Sequence, residues 1–307
     1  MAALLRFASR KPDTEVGATS DMNIPPTAND TPLRRVPPLI FPTPVSSAAL
    51  HLRRVLLAVL PPLAGLACFV LVWAMVATTS DYLPGPGTTF TSAVELFSDP
   101  FYRAGPNDQG IGWNLLASLG RVAQGFGMAA LVGIPLGFAL GRFTLLNRSF
   151  QPIISLLRPV SPLAWLPIGL AVFEAANPAA IFTIFICAIW PMLINTALGV
   201  ASVPQDYLNV ARVLKLSEWK VFTKILLPAS VPYVLTGAKL ALGVAWLAIV
   251  ASEMLTGGVG IGFWLWDEWN NLNMEHILIA ILVIGTVGLL IEQAMTQIAH
   301  RFDYRSR

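Results

Sequence analysis

Charge is what this chain has least of. Asp, Glu, Lys and Arg make up 12% of its 307 residues, about half of the ~25% found in soluble domains. Hydrophobic residues reach 55% and the mean hydropathy is +0.65. That composition excludes a soluble enzyme and excludes disorder over most of the length. Twenty Lys and Arg against 17 Asp and Glu leave a net charge of +3, so despite a pI near 9.0 there is no basic field for nucleic acid. Cysteine is nearly absent: Cys68 and Cys187 both lie in apolar runs and form neither a disulfide framework nor a metal cluster. The three histidines, His51, His276 and His300, are far apart in sequence, and no metal or other cofactor is expected. The glycine run Gly257-Gly258-Val259-Gly260-Ile261-Gly262 lacks the Lys-Ser/Thr ending of a Walker A loop, so it reads as a turn rather than an ATP site. No Ser/His/Asp grouping stands out, and no catalytic residue is assigned. What remains is an integral membrane protein.

Residues 1–50 differ from everything that follows. They carry eight prolines and no apolar run long enough to span a bilayer. Proline removes backbone donors and fixes φ, so this segment is expected to be a mobile, disordered cytoplasmic tail without a cleaved signal peptide. Residues 51–307 form the second expected domain. A helix needs about 20 mostly apolar residues to cross the ~30 Å hydrocarbon layer. Six stretches qualify: Val55–Ala77, Val122–Gly141, Pro159–Phe173, Ala179–Val200, Tyr233–Leu255 and Ile277–Ile298. The third is short and interrupted by Pro159, Pro162 and Pro167. A broken span is tolerated only where protein or a watery cavity satisfies the freed backbone, so this one is expected to be kinked or to line a path. The fold class is all-α, with six transmembrane helices.

Lys and Arg concentrate on the cytoplasmic side of membrane proteins. Seventeen of the 20 fall on one side of the six-span arrangement: in the tail, in the connections holding Arg142, Arg148 and Arg158 and then Arg212, Lys215, Lys220 and Lys224, and at the C-terminus. Both termini are therefore expected in the cytoplasm. The opposite side holds acids such as Asp99, Asp108, Asp267 and Glu268.

The most informative connection runs from Pro204 to Pro228, PQDYLNVARVLKLSEWKVFTKILLP. Its apolar residues Tyr207, Val210, Ala211, Leu214, Trp219, Phe222 and Ile225 recur at helical spacing around a turn near Ser217. Two short amphipathic helices account for that pattern, with Ser217 ahead of Glu218 as an N-cap. Such a pair either lies on the membrane surface or docks in the groove of a cytoplasmic partner.

This segment resembles the coupling loop of bacterial ABC-importer permeases, whose pattern is Glu-Ala-Ala, three residues, Gly, nine residues, then Ile-x-Leu-Pro. Asn209, Val210 and Ala211 occupy the first three places, Lys215 stands where Gly is usual, and Ile225, Leu227 and Pro228 match the end. Three further segments, at residues 158–173, 177–196 and 245–273, resemble the branch that imports small oxyanions, namely nitrate/nitrite, bicarbonate, taurine and alkanesulfonate. The last of them resembles the nitrate and bicarbonate members most. The resemblance implies a homodimer with the type I importer permease fold in a bacterial inner membrane. It also implies ATPase subunits below, a periplasmic or lipid-anchored substrate-binding protein outside, and a small oxyanion, nitrate first, as cargo. Asp206, Tyr207, Val210, Ala211, Leu214, Lys215 and Pro228 become the residues expected to contact the ATPase, with Ala211 at the tightest point.

Polar groups inside spans are functional candidates because burying them is costly. Arg121, Asn195, Thr196 and Lys239 are the candidates for an anion path, since an anion leaving water needs positive potential or N–H donors. Glu253 repels anions and reads as structural. Gly133, Gly137 and Gly141 form a small-residue stripe that admits a close helix neighbour, either as static packing or as a sliding surface. The rival readings are an ion-coupled secondary transporter or channel acting alone, which would leave the amphipathic 204–228 segment unexplained, and an intramembrane enzyme, which lacks a nucleophile and base.

Overall fold

A computed structural model describes residues 47–80 and 82–301, with side chains from Leu57 onward except Ala58. The tail expected over residues 1–50 falls almost wholly outside the described residues, as do Arg305 and Arg307. Contacts divide the chain into two units, residues 1–61 and 62–307. In the first, the described residues form the start of helix α1 (Ser47–Ala77).

The second unit continues with α2 (Pro86–Leu96), α3 (Ile111–Arg142), α4 (Thr144–Leu157), α5 (Pro162–Phe173) and α6 (Ala176–Ala201). It then runs through α7 (Gln205–Val213), α8 (Glu218–Val221), α9 (Leu227–Thr256), α10 (Ile261–Asn270) and α11 (Met274–Arg301). Five of these helices are long and apolar enough to cross a membrane. The bent pair α4 and α5, folded by 99° across the break at residues 158–161, makes a sixth if counted as one span. The expected third span thus exists only as a broken one. At a rise of ~1.5 Å per residue, the 12 residues of α5 alone are too short to cross. The expected spans otherwise match α1, α3, α6, α9 and α11, each longer than its apolar stretch.

Helix α6 lies at the centre, packed between α3 and α9. Glycine makes that packing possible. A Cβ on Gly125 would sit 2.6 Å from Ile184 Cβ, one on Gly137 2.6 Å from Thr196 Cβ, and one on Gly141 2.6 Å from Val200 Cβ. The expected glycine stripe therefore seats α3 on α6. Gly199 and Gly237 do the same between α6 and α9, where a Cβ would meet Tyr233 and Asn195. The principal core, including Ala129, Ile184, Ala188, Met192, Ala241, Ala245, Trp246 and Ile249, fills these contacts. From residue 57 on, α1 is exposed along nearly its whole apolar length, as suits a helix whose surroundings are lipid or another chain.

Candidate functional site

The first polar constellation sits at one end of the bundle. Asn114, Ser118 and Arg121 recur on α3 at i, i+4 and i+7, and so share one face. That face meets Glu253, near the end of α9, and the turn that follows it. Arg121 Nη1 lies 2.6 Å from Glu253 Oε1 and donates also to the Val259 carbonyl at 2.7 Å, while its Nε donates to Asn177 Oδ1 at 2.6 Å. Ser118 Oγ sits 2.9 and 2.7 Å from the two Glu253 oxygens. The Gly257–Gly258 pair turns the chain with φ of 75° and 90°, a region open to glycine because it has no Cβ.

Helix α10 begins directly against this cluster. The first N–H groups of a helix have no partner within it, and Gly260 has no side chain to cap them. The gap is closed from a distance: Gly260 N–H donates to Asn114 Oδ1 at 2.8 Å, Ile261 N–H to Ser118 Oγ at 2.9 Å, and Gly262 N–H to Glu253 Oε2 at 3.0 Å. A carboxylate there also complements the positive end of the helix dipole. The Glu253 side chain is 2% exposed, so its charge is tolerable only because three donors, the Ser118 hydroxyl, the Arg121 guanidinium and the Gly262 N–H, surround it. The arrangement is a latch joining α3, α6, α9 and α10.

At the other end, the 204–228 segment forms the two expected helices. Ser217 caps α8 by accepting the Lys220 N–H at 3.4 Å. A single π turn, Phe222–Leu226, then leads into α9, with Pro228 in its first turn. Asp206 in the first turn of α7 and Arg212 in its last match the helix dipole. Tyr207, Val210, Val213, Leu214 and Trp219 are exposed, Val213 at 82%, and together they give the segment an apolar outer surface. Lys215 forms the corner between the helices at φ 47°, with Leu216 N–H returning to the Ala211 carbonyl at 3.0 Å. A left-handed residue closing a helix this way is most often glycine.

Residues 133–304 match the family model described as "Binding-protein-dependent transport system inner membrane component". That match covers more than half of the chain. The chain belongs to this family. Within it, the chain belongs to the nitrate/bicarbonate branch of ABC-importer permeases. It is 51% identical to the nitrate import permease protein NrtB of Leptolyngbya laminosa over 77% of its own length and 85% of the relative's. It is 46% identical to the bicarbonate transport system permease protein CmpB of Synechocystis sp. over 77% and 86%. Among solved structures, an inward-facing form of the MetNI methionine ABC transporter superimposes with a TM-score of 0.54 at 16% identity, covering 62% of this chain and 97% of that one. That likeness bears on the fold, and the fold is that of an importer permease.

Against this permease fold, one expected coupling residue changes sides. Ala211 was expected on the docking face, at the tightest contact with a partner. It is 2% exposed and lies instead in a core of its own chain with Phe138, Val200, Val203, Val221 and Leu226. A nine-residue helix resting on the ends of α3 and α6 must turn one side inward, and its smallest apolar residue takes that side. Asp206, Tyr207, Val210, Leu214, Lys215 and Pro228 remain exposed, and Val213 joins them.

The four candidates for an anion path do not come together. Arg121 is held by the latch, 17% exposed and bonded to Glu253, Asn177 and Val259. Its cation is neutralised by the carboxylate, so the expectation of a free positive charge there is corrected. Lys239 is 2.9 Å from Glu292 Oε1, linking α9 to α11. Thr196 is fully buried, its hydroxyl donating to the Met192 carbonyl at 2.7 Å. Asn195 donates to the Pro191 carbonyl at 2.8 Å and stays partly accessible. Sequence reasoning missed Asn114, Ser118 and Asn177. The helical spacing 114, 118, 121 was a signal available for the first two, while nothing in the pattern marks Asn177 on α6.

Proposed function

We propose that this chain is the membrane-spanning subunit of an ATP-driven importer of a small inorganic oxyanion, nitrate first, working as a homodimer in a bacterial inner membrane. The observation that carries the reading is the 51% identity to a nitrate import permease over most of both chains. Bicarbonate is the second reading, favoured by the 46% identity to a bicarbonate permease. A substrate-binding protein delivers the anion from outside, and partner ATPase subunits hydrolyse ATP. Their closure pushes on α7 and α8, and the bundle then alternates access by rigid-body rocking. The concentration of Lys and Arg at the 204–228 end supports cytoplasmic termini and ATPase docking there. The exposed apolar face of Tyr207, Val210, Val213 and Leu214 supports the same docking.

Uptake by the complete complex in proteoliposomes, with labelled nitrate and labelled bicarbonate in parallel, decides the cargo. Nitrate uptake requiring ATP is expected, and uptake of bicarbonate alone would overturn nitrate. A second pair of variants tests the coupling. Val213→Glu places a charge on the exposed docking face, so the ATPase should cease to co-purify while the permease keeps its thermal stability. Ala211→Glu buries an unpaired charge in the permease itself, at a cost of several kcal/mol, and should lower the permease's own level in the membrane. Normal ATPase co-purification and uptake in Val213→Glu would remove α7 from the coupling surface.

A further inference from the structure

The break between α4 and α5 puts one cation where the latch has none to spare. Arg158 was counted with the cytoplasmic connection on sequence grounds. The structure sets it at the 99° corner of the broken span, on the wall of a cavity of about 280 Å³ shared with Cys187, Trp190 and Asn195 of α6 and with Leu240 and Val244 of α9. Cys187 and Trp190 lie near the middle of α6, which runs from 176 to 201, and Leu240 and Val244 near the middle of α9, which runs from 227 to 256, while Asn195 lies nearer the end of α6. The cavity therefore extends from the middle of α6 toward the end that leads into the 204–228 segment. Arg158 is exposed, and no hydrogen bond or ion pair holds its guanidinium among the described residues. An arginine set against apolar spans without a carboxylate partner is a functional candidate.

Two further observations point to the same kind of ligand. The indole N–H of Trp190 is buried without an acceptor, although most buried donors in native proteins are paired. The wall has no acidic side chain, and it carries the Asn195 amide. Arg158 and Ile194 also line a second cavity of about 540 Å³, which carries Asn147, Gln151 and Ser155 and runs along α6 as far as Ala201, beside the 204–228 segment. It too has no acid on its wall.

We propose that Arg158, with Trp190 and Asn195, forms a subsite for a small oxyanion between the broken span, α6 and α9, and that the Asn147, Gln151 and Ser155 cavity is its exit toward the coupling end. This rests on the oxyanion-importer reading above. A planar or tetrahedral oxyanion offers several acceptors to the guanidinium fork and one to the orphaned indole N–H. The volume suits an anion of a few heavy atoms. Discontinuous spans that frame a mid-membrane site are a general device of transporters.

The test uses the complete complex of permease, ATPase and binding protein in proteoliposomes of zwitterionic lipid and, separately, with added anionic lipid. The readout is nitrate taken up per ATP hydrolysed. Arg158→Gln should lower that ratio about tenfold, the equivalent of ~1.4 kcal/mol, equally in both lipids. Arg158→Lys keeps the charge but loses the fork, and should lower it about threefold. A purely structural role would reduce uptake and hydrolysis together and leave the ratio unchanged, which overturns the subsite. If Arg158 instead holds a lipid phosphate, Arg158→Gln will lose co-purifying phospholipid with its ratio intact, and the proposal falls. Should Arg158→Gln fail to reach the membrane, Trp190→Phe, which deletes only the N–H, decides: an unchanged ratio overturns the proposal. If the wild type carries bicarbonate and not nitrate, the cargo reading fails, and the ratio measured with bicarbonate still judges Arg158.

Discussion

Arg121 and Arg158 are two arginines attached to apolar helices of one bundle, and their surroundings differ in every respect. Arg121 touches a carboxylate, an amide and a backbone carbonyl, all within 2.7 Å. Arg158 has no such partner among the described residues and borders open space on two sides. Guanidinium chemistry is the same in both, so the difference lies in what the fold brings alongside. A cation whose donors are consumed holds helices together, and one whose donors are free can receive an anion.

The largest effect should come from the latch. Arg121→Gln leaves the Glu253 carboxylate buried without its counter-charge, at a cost of about 3–5 kcal/mol, seen as a lower thermal unfolding temperature and a lower membrane level. Adding Glu253→Gln should restore most of the loss, because the neutral amide needs no counter-ion. A fully stable Arg121→Gln single variant would break the comparison. A middle effect is expected from Gly260→Ala, which alters no charge but drives a Cβ into the Glu253 carboxylate. Overpacking of this kind costs about 1–3 kcal/mol, and unfolding measurements on the purified protein would show it. The smallest stability effect belongs to Arg158→Gln, expected within about 0.5 kcal/mol, even though its transport ratio falls the most. A large loss of stability there would make Arg158 a second latch.

What sequence patterns leave out is visible at Arg158. Arg158 sits between Leu157 and Pro159, and Lys/Arg counting places any arginine beside a short span in the flanking loop. The α4–α5 corner sets it on one cavity wall with Ile194 and Asn195 of α6, a pairing that no local pattern encodes. Ala211 shows the same limit. Helical spacing put it on the face shared by Tyr207, Val210 and Leu214, and spacing alone cannot say which edge of that stripe the ends of α3 and α6 will cover. Helices α2 and α10 went unread because each is too short to register as a span. The start of α10 also depends on Asn114, Ser118 and Glu253, more than a hundred residues away in two of the three cases.

The apolar runs by themselves determined a membrane-embedded helical bundle, because no other structure satisfies its own backbone in lipid over about 20 residues. The Pro204–Pro228 pattern determined two short helices around Ser217, since capping and 3.6-residue periodicity are local. The glycine spacing on α3 determined that a helix would approach closely there. Only the tertiary structure decided which helix that was, which arginine is neutralised and which stays open, and which side of α7 faces outward. Those outcomes depend on pairings between segments distant in sequence, whose energies arise only once the segments are packed against each other.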